Sequence, residues 1–198
     1  MFKDLFHLFF PQTCLACNDN LVEQEILCSH CLHELPLANT HLDNENTLKK
    51  VFEPQIPLHN VTSLLYFYKK GITQALFHNL KYRNHPEIST YLGEWISPYL
   101  VKGDFMENID AVIPVPIHKT RRKERGYNQV EGFAKVIAQH FNKIYIDDVL
   151  VKKEASKTQV FKGRLARQEI KSRLLSNCTF SSSLSPAFAV SSNKQVLK

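Results

Sequence analysis

The sequence has no stretch that approaches the roughly 18 consecutive apolar residues that a membrane-spanning helix requires. Its first residues, MFKDLFHLFFPQTC, are apolar but carry charge at Lys3 and Asp4, and they lack a small-residue cleavage site. A secretory signal is therefore not expected. The spacing of the phenylalanines and Leu5 predicts a short amphipathic helix that Pro11 stops. We predict a cytoplasmic protein without a membrane span.

The apolar content of the sequence is also higher than is typical of disordered chains. Hydrophobic residues make up 43% of the sequence and aromatic residues 11%, which argues against wholesale disorder. A chain of 198 residues is long enough to bury a core. This length fits one domain of ordinary size with a small appendage.

The positive charge is not spread evenly along the chain. Residues 118–128 carry a net charge of +4 and residues 151–173 a net charge of +6, while the whole chain carries +6. Two basic segments therefore stand on a mildly acidic body. This distribution suits an anionic ligand, either nucleic acid or a polyphosphate. Two solvated surfaces would produce the same pattern.

Four of the five cysteines lie within 18 residues, as CLAC at Cys14 and Cys17 and CSHC at Cys28 and Cys31. Two residues between cysteines let a tight turn aim both sulfurs at one point, and two such turns complete a tetrahedron around Zn²⁺. A redox dithiol would need only one such pair. Because four thiolates fill the coordination shell, a bound Zn²⁺ would be structural, with the nearby His30 and His33 as spare donors. We expect Cys178, which is isolated, to be structural.

The order of the predicted elements indicates an α/β domain with a parallel sheet, preceded by a small zinc-binding knuckle. Apolar, β-branched runs predict strands, and apolar residues at helical spacing predict helices. The predicted strands are 61–69, 109–115, 144–151 and 187–190; the predicted helices are 72–83, 87–100 and 130–141, with a basic, partly helical segment at 159–175. We assign residues 1–36 to the N-terminal helix and knuckle, 37–60 to a linker or crossover, and 61–198 to the α/β domain.

The segment IDAVIPVPIHKTRRKERGYNQ, residues 109–129, takes a buried strand directly into positive charge. Pro114 and Pro116 cannot donate ladder hydrogen bonds, so the strand must end near them, and they give the next loop a stiff base. Arginines can grip phosphate with bidentate forks. A helix that starts at Gln129, capped by Asn128, would add a favourable anion site. A phosphate-binding loop and a plain solvated loop both fit.

Several motifs together resemble the ComF family, competence-associated proteins that are related to amidophosphoribosyltransferases. They are CLAC and CSHC, HNLKYR, DAVIPVPIHKTRRKERGYNQ, KTQVFKGRLARQ and CTF, and they extend from about Cys14 to Phe180. The most specific is P-V-P-x-H followed by spaced arginines and R-G-Y-N-Q. The resemblance implies a zinc knuckle and a type I phosphoribosyltransferase-like domain, with 5-phosphoribosyl 1-diphosphate (PRPP) as a ligand. It also implies a role in handling internalised single-stranded DNA during natural transformation.

The resemblance places the diphosphate-side loop of a PRPP site at Pro114–His118 and the anion-facing segment immediately after it. The diphosphate- or anion-binding candidates are Pro116, His118, Arg121, Arg122, Arg125, Asn128, Gln129 and Lys81, which matches a lysine in the family's L-K-Y motif. The basic and aromatic candidates for nucleic-acid contact are Lys119, Lys123, Tyr127, Lys157, Phe161, Lys162, Arg164 and Arg167. Mg²⁺ is expected only together with PRPP.

One part of the family's pattern is missing from this sequence. Such domains continue into a strand, an acidic pair and a Thr-Thr-Gly turn that hold the ribose and its 5-phosphate. Asp147 and Asp148 form an acidic pair, but Val-Leu-Val-Lys-Lys follows them, so we interpret the pair as an ordinary strand entrance. The final KQVLK resembles the start of the missing strand, which predicts a sheet that is incomplete at its C-terminus. Without that turn nothing positions the ribose end of PRPP, and we do not expect phosphoribosyl transfer.

Three hypotheses about function follow from these patterns. The first is a ComF-like protein of phosphoribosyltransferase fold that acts in DNA uptake and binds single-stranded DNA, PRPP or both. The second is an authentic PRPP-dependent phosphoribosyltransferase whose chain is truncated here. The third is a non-catalytic module whose zinc knuckle docks a partner such as a competence helicase.

Overall fold

A computed structural model describes residues 12–21, 25–38, 40, 47–52, 54, 58–102, 105–153 and 178–180. Several expectations lie outside these residues: the helix before Pro11, the basic segment at 159–175, and the strand at 187–190. Five nucleic-acid candidates also lie outside them, namely Lys157, Phe161, Lys162, Arg164 and Arg167. Within the described residues, no helix is both long and apolar enough to cross a membrane, as the sequence predicted.

The cysteine-rich region begins as a short hairpin and ends in a single short helix. Thr13 and Asn20 form an antiparallel bridge, and the Leu21 N–H donates to the Gln12 carbonyl at 2.8 Å. Helix α1 then spans Ser29–His33, with Cys28 as its N-cap residue. Each Cys-x-x-Cys pair therefore lies at a turn, the first at the tip of the hairpin and the second at the start of α1.

Three further helices follow, of which the longer two match the predicted spans. Helix α2 spans Thr47–Phe52, α3 spans Ile72–Tyr82, and α4 spans Glu87–Lys102. The segment predicted as a strand at 61–69 is extended but forms a single bridge, between Leu65 and Leu37. Pro36 supplies only its carbonyl, which accepts from the Tyr66 N–H at 2.8 Å. Because proline has no N–H to donate, the pairing does not continue past it.

The second half of the chain is a βαβ unit around a small parallel sheet, so the expected combination of helices with a parallel sheet is confirmed. Strand β1 is Ala111–Val112, α5 is Lys119–Arg125, α6 is Glu131–His140 and β2 is Ile144–Tyr145. Ala111 pairs with Ile144 and Val112 with Tyr145, in parallel. Strand β3, Leu150–Lys152, pairs antiparallel with β4, Cys178–Phe180. A bend at 147–149 thus divides the strand predicted over 144–151 into two.

The basic stretch after Pro116 is a helix, where the sequence predicted a loop. His118 caps it by accepting from the Thr120 N–H at 3.3 Å, and Gly126 ends it in the left-handed region with φ of 86°. Lysine, arginine and glutamate favour helices, and glycine tolerates this ending at little cost. The next helix starts at Glu131 rather than at Gln129.

The buried side chains form two cores that are joined through Leu64 and Phe133. The first core combines the cysteine-rich region, through Leu27 and Cys31, with Leu76 of α3 and Ile88 of α4. The second is centred on Ile96, Leu100 and Ile137, which pack α4 against α6. The knuckle therefore shares a hydrophobic core with the helices that follow it.

Two glycines bring α4 and α6 close together. A Cβ atom on Gly93 would lie 3.0 Å from the carbonyl oxygen of Phe133, and one on Gly132 would lie 3.0 Å from the main-chain nitrogen of Thr90. The Phe133 N–H also donates to the Ser89 hydroxyl across the crossing, at 2.9 Å. This contact fixes the start of α6, and hence Asn128 and Gln129, relative to α4.

Candidate metal centre and anion-binding site

The four cysteines converge on one point and could hold a metal ion. The sulfurs of Cys14, Cys17, Cys28 and Cys31 all lie within 4.8 Å of one another. The Sγ atoms of Cys17 and Cys28 are 3.6 Å apart. Tetrahedral Zn–S bonds of about 2.3 Å require sulfurs roughly 3.8 Å apart. The donor set therefore fits a tetrahedral ion with only small side-chain adjustments.

Main-chain hydrogen bonds hold the cysteines at these positions. The Cys14 N–H donates to the Asp19 carbonyl at 2.8 Å, and the Asn18 N–H returns to the Cys14 carbonyl at 2.9 Å. The Cys31 N–H donates to the Cys28 sulfur at 3.4 Å. Most of the ligand geometry is thus set by backbone turns.

The thiol pKa values indicate how the cluster responds to a cation. Burial opposes ionisation of Cys14, but main-chain N–H groups of Cys17, Cys28 and Ala16 outweigh it and lower its pKa to about 7. The Asp19 N–H favours the Cys17 thiolate, yet desolvation and the Asp19 carboxylate outweigh it and raise the Cys17 pKa to about 11. Burial and the neighbouring sulfurs also raise the pKa of Cys31. One cysteine thus ionises readily, while each additional thiolate is repelled by the first. A bound divalent cation offsets this repulsion between thiolates.

Two predicted site residues, Arg125 at the end of the cationic helix α5 and Tyr127 just after it, connect this region to the end of α3. The Arg125 Nε donates to the Lys81 carbonyl at 2.8 Å, and the Tyr127 hydroxyl donates to the Leu80 carbonyl. These bonds satisfy carbonyls that the last turn of a helix leaves without internal partners. Tyr127 also packs against the first core. Its hydroxyl and the Arg125 Nε thus hold this part of the chain against the end of α3, and Arg125 also lines the neighbouring cavity.

Two other predicted residues organise the turn between α5 and α6. The buried Asn128 amide donates to the Val115 carbonyl at 2.9 Å, and its Oδ1 accepts from the Val130 N–H at 3.4 Å. Arg122 Nη2 lies 3.8 Å from a Glu131 carboxylate oxygen, whose partner oxygen accepts from Lys135 Nζ at 2.7 Å. Part of the Arg122 charge is therefore already compensated.

Three adjoining cavities surround this turn. We call the first the cationic pocket; it measures about 240 Å³ and is lined by Lys81, Tyr82, Asn84, Arg121, Glu124 and Arg125. The second, the apolar groove, measures about 670 Å³, shares Lys81 with the first, and is lined by side chains such as Phe67, Phe77, Val115 and Phe133. The third, the strand-end cavity, measures about 300 Å³ and shares Pro116, Ile117, Asn128 and Lys152 with the groove.

The strand-end cavity contains the acidic pair that sequence reasoning set aside. Asp147 and Asp148 follow β2, and they line this cavity together with Lys119 and Arg122 from α5. Tyr145 also lines it, and the buried hydroxyl of this residue has no hydrogen-bond partner among the described residues. The carboxyl ends of neighbouring parallel strands meet at one sheet edge, where α/β proteins bind ligands. That rule, applied to β1 and β2, could have assigned the pair to the site.

Lys81 lines both the cationic pocket and the apolar groove, and its surroundings disfavour the charged form of its amine. Partial burial and then the charge of Arg125 lower its pKa. An anion in the cationic pocket would relieve this repulsion, because an opposite charge favours the protonated amine.

The structure thus brings most of the described candidates around one connected surface. Pro116, Asn128 and Gln129 line the apolar groove, while Arg121 and Arg125 line the cationic pocket. Lys119 and Arg122 line the strand-end cavity. His118 serves as the cap of α5, and Lys123 is exposed on the same helix.

A scan against protein-family models, a search of curated proteins and a search of solved structures each find no match for this chain.

Proposed function

We propose that this chain is a ComF-like protein of type I phosphoribosyltransferase fold that binds single-stranded DNA, PRPP or both during DNA uptake. One observation carries the proposal: the strand-end cavity and the apolar groove share Pro116, Ile117 and Asn128 after β1, and the groove shares Lys81 with the cationic pocket. The cationic pocket beside the apolar groove suits a ligand with phosphate groups and a flat, weakly polar base.

We further propose that the four-cysteine cluster holds Zn²⁺ with a structural role. Four thiolates are a typical structural zinc donor set, and they leave no open position for substrate. The ion would fix the hairpin and α1 against α3, because Cys14 and Cys31 belong to the same core as Leu76.

Binding of single-stranded DNA would depend on α5 and on the groove beside it. Arg121 and Arg125 line the cationic pocket, where guanidinium forks can pair with phosphate oxygens. The groove walls at Phe67 and Phe77 offer apolar surface for a base. Phosphate neutralisation makes such binding strongly salt-dependent. For single strands, the logarithm of the binding constant falls with the logarithm of the salt concentration with a slope of roughly −0.7 per phosphate contacted.

The test is fluorescence anisotropy of labelled oligothymidine over a series of salt concentrations. We expect steep weakening with salt for the wild-type chain and a smaller slope for Arg121→Ala. Arg121→Lys keeps the charge but loses the fork, so its salt slope should remain while affinity falls. Lys102→Ala removes an exposed lysine at the end of α4 and serves as the control. Absence of binding at low salt, or binding that salt does not weaken, would contradict the proposal.

PRPP is a second candidate ligand, and the strand-end cavity is the observation that favours it. Asp147 and Asp148 line this cavity together with Lys119 and Arg122, so it offers groups for both the hydroxyls and the phosphates of one small ligand. We propose that this cavity binds PRPP. Calorimetric titration with PRPP and Mg²⁺ tests this, with Asp147→Asn as the variant; no heat for the wild-type chain would exclude PRPP.

A further inference from the structure

Three consecutive aromatic residues are displayed on the surface just before α3. The side chains of Tyr66, Phe67 and Tyr68 are 50%, 60% and 58% exposed, and Lys69 and Lys70 follow them at the surface. Large contiguous apolar patches on a protein surface usually mark a site of interaction. We call residues Tyr66–Lys70 the aromatic ridge.

The ridge lies in a stretch of the sequence that contains no negatively charged residue. Neither Asp nor Glu occurs between Pro54 and Pro86, while Lys69, Lys70, Lys81 and Arg83 do. Among the described residues, every Tyr, Phe or Trp classed as exposed falls in this same stretch: the three ridge rings and Tyr82. Tyr82 in turn lies under Arg125, whose guanidinium carbon is 5.9 Å from the ring centroid. Exposed rings and cationic side chains thus come from one stretch of sequence that contains no carboxylate.

The main chain of the ridge is held firmly although its side chains face water. The Tyr66 N–H donates to the Pro36 carbonyl at 2.8 Å, and the Tyr66 carbonyl accepts from the Thr73 hydroxyl at 2.8 Å. The Lys70 N–H donates to the Gln74 side chain at 2.6 Å. A ridge anchored at both ends loses little conformational entropy when a ligand covers it.

The rings are arranged to receive a ligand along the chain rather than at one point. The Tyr66 and Tyr68 centroids are 6.3 Å apart with an interplanar angle of 44°, as expected for alternate residues on one side of an extended chain. Phe67, between them, lines the apolar groove together with Phe77 and Lys81. Because successive side chains of an extended chain point to opposite sides, the ridge presents Tyr66 and Tyr68 on one side and Phe67, which borders the groove, on the other.

We propose that the aromatic ridge is a stacking platform for the bases of single-stranded DNA, with Lys69 and Lys70 neutralising the adjacent phosphates. The inference rests on the DNA binding proposed above and names where the bases are held. Positive charge with no carboxylate nearby in sequence favours a polyanionic partner over a protein partner whose surface carries charges of both signs. Exposed rings require unpaired bases, because a duplex keeps its base faces stacked inside.

The decisive comparison uses two double variants that differ only in the rings. Tyr66→Leu with Tyr68→Leu keeps apolar side chains but removes the aromatic faces, while Tyr66→Phe with Tyr68→Phe keeps the faces and removes only the hydroxyls. In oligothymidine titrations we expect the leucine pair to lose roughly tenfold or more in affinity with an unchanged salt slope. The phenylalanine pair should bind like wild type. Lys69→Ala with Lys70→Ala should lower the salt slope by about 1.4.

An abasic oligonucleotide of the same length separates stacking from charge. It should bind the wild-type chain and the leucine pair equally, because it offers phosphates without bases. If the wild-type chain binds oligothymidine and the leucine pair binds it equally well, the ridge inference is overturned while the proposed DNA binding stands. If the wild-type chain does not bind oligothymidine at all, both the ridge inference and the proposed DNA binding are overturned. A leucine pair that changes the sedimentation coefficient would identify the ridge as an interface between copies and also overturn the inference.

Discussion

The side-chain amide of Asn79 donates a 2.6 Å hydrogen bond to the main-chain carbonyl of Leu15, the residue after the first cysteine. Asn79 is buried, and its helix neighbours Leu76 and Leu80 share a core with Leu27 of the cysteine-rich region. The knuckle and α3 are therefore one packed unit, and a disturbance of either should be felt by the other.

We expect Asn79→Ala to destabilise the protein by roughly 1–3 kcal/mol, because the substitution leaves the Leu15 carbonyl without its partner in a partly buried site. Urea unfolding followed by circular dichroism measures the change. His78→Ala, at an exposed position on the same helix, provides the comparison. Equal midpoints for the two variants would show that the hydrogen bond contributes little.

Removal of the metal should loosen α3 as well as the cysteine-rich region. After chelation we expect the apparent melting temperature to fall by on the order of 10 °C, since metal-binding free energy is also folding free energy. Bound metal is measured by elemental analysis and, after Co²⁺ substitution, by the thiolate charge-transfer absorption.

The matched variants for this test are Cys14→Ser and His30→Ala. Cys14→Ser should abolish stoichiometric binding, whereas His30→Ala should retain it, because His30 is exposed and outside the four-sulfur cluster. Stoichiometric metal in Cys14→Ser would mean that the cluster is not the binding site.

Gly132→Ala should cost roughly 1–3 kcal/mol through overpacking. The added methyl group would lie 2.6 Å from the Thr90 hydroxyl and 3.0 Å from its main-chain nitrogen, and the latter cannot rotate away. Chemical denaturation measures the loss, with Gln139→Ala on the exposed side of α6 as the control. A stabilised Gly132→Ala chain would indicate that helix propensity outweighs the close contact.

Lys81→Met should bind oligothymidine more weakly while the free protein becomes slightly more stable, by roughly 0.5 kcal/mol or less. The reason is that partial burial and Arg125 lower the pKa of Lys81 below the ordinary 10.5 in the folded chain. The charged lysine thus opposes folding at neutral pH but favours anion binding. Unfolding and anisotropy titrations measure the two effects separately.

The difference in stability between the wild-type chain and Lys81→Met should change with pH in a definite direction. A lysine whose folded pKa is lowered carries its full penalty below that pKa, and the penalty disappears as pH rises towards 10.5. The wild-type chain should therefore gain stability relative to Lys81→Met over that alkaline range. A constant difference between the two chains from neutral pH to 10.5 would rule out this account of Lys81.

Local sequence patterns determined a large part of the observed structure. The spacing of Cys14, Cys17, Cys28 and Cys31 predicted a convergent cluster, because turns of two residues have little conformational choice. The periodic apolar residues predicted α3, α4 and α6 within a few positions. Burial on one helix face depends on neighbours three and four residues away, and such short-range regularities are visible in one sequence.

Tertiary contacts decided the arrangement of the candidate site. Arg125 and Tyr127 are committed to carbonyls of α3 that lie 44 and 47 residues earlier, and a single sequence does not reveal such pairings. The same holds for Asp147 and Asp148, which line one cavity with Lys119 and Arg122 of the cationic helix beside the parallel pair β1 and β2. The aromatic residues 66–68 lie in a segment that the sequence predicted to be a strand, yet pairing stops at Pro36 and their side chains are exposed. Composition and spacing therefore determined which residues carry the chemistry, while long-range packing decided which of them face one another.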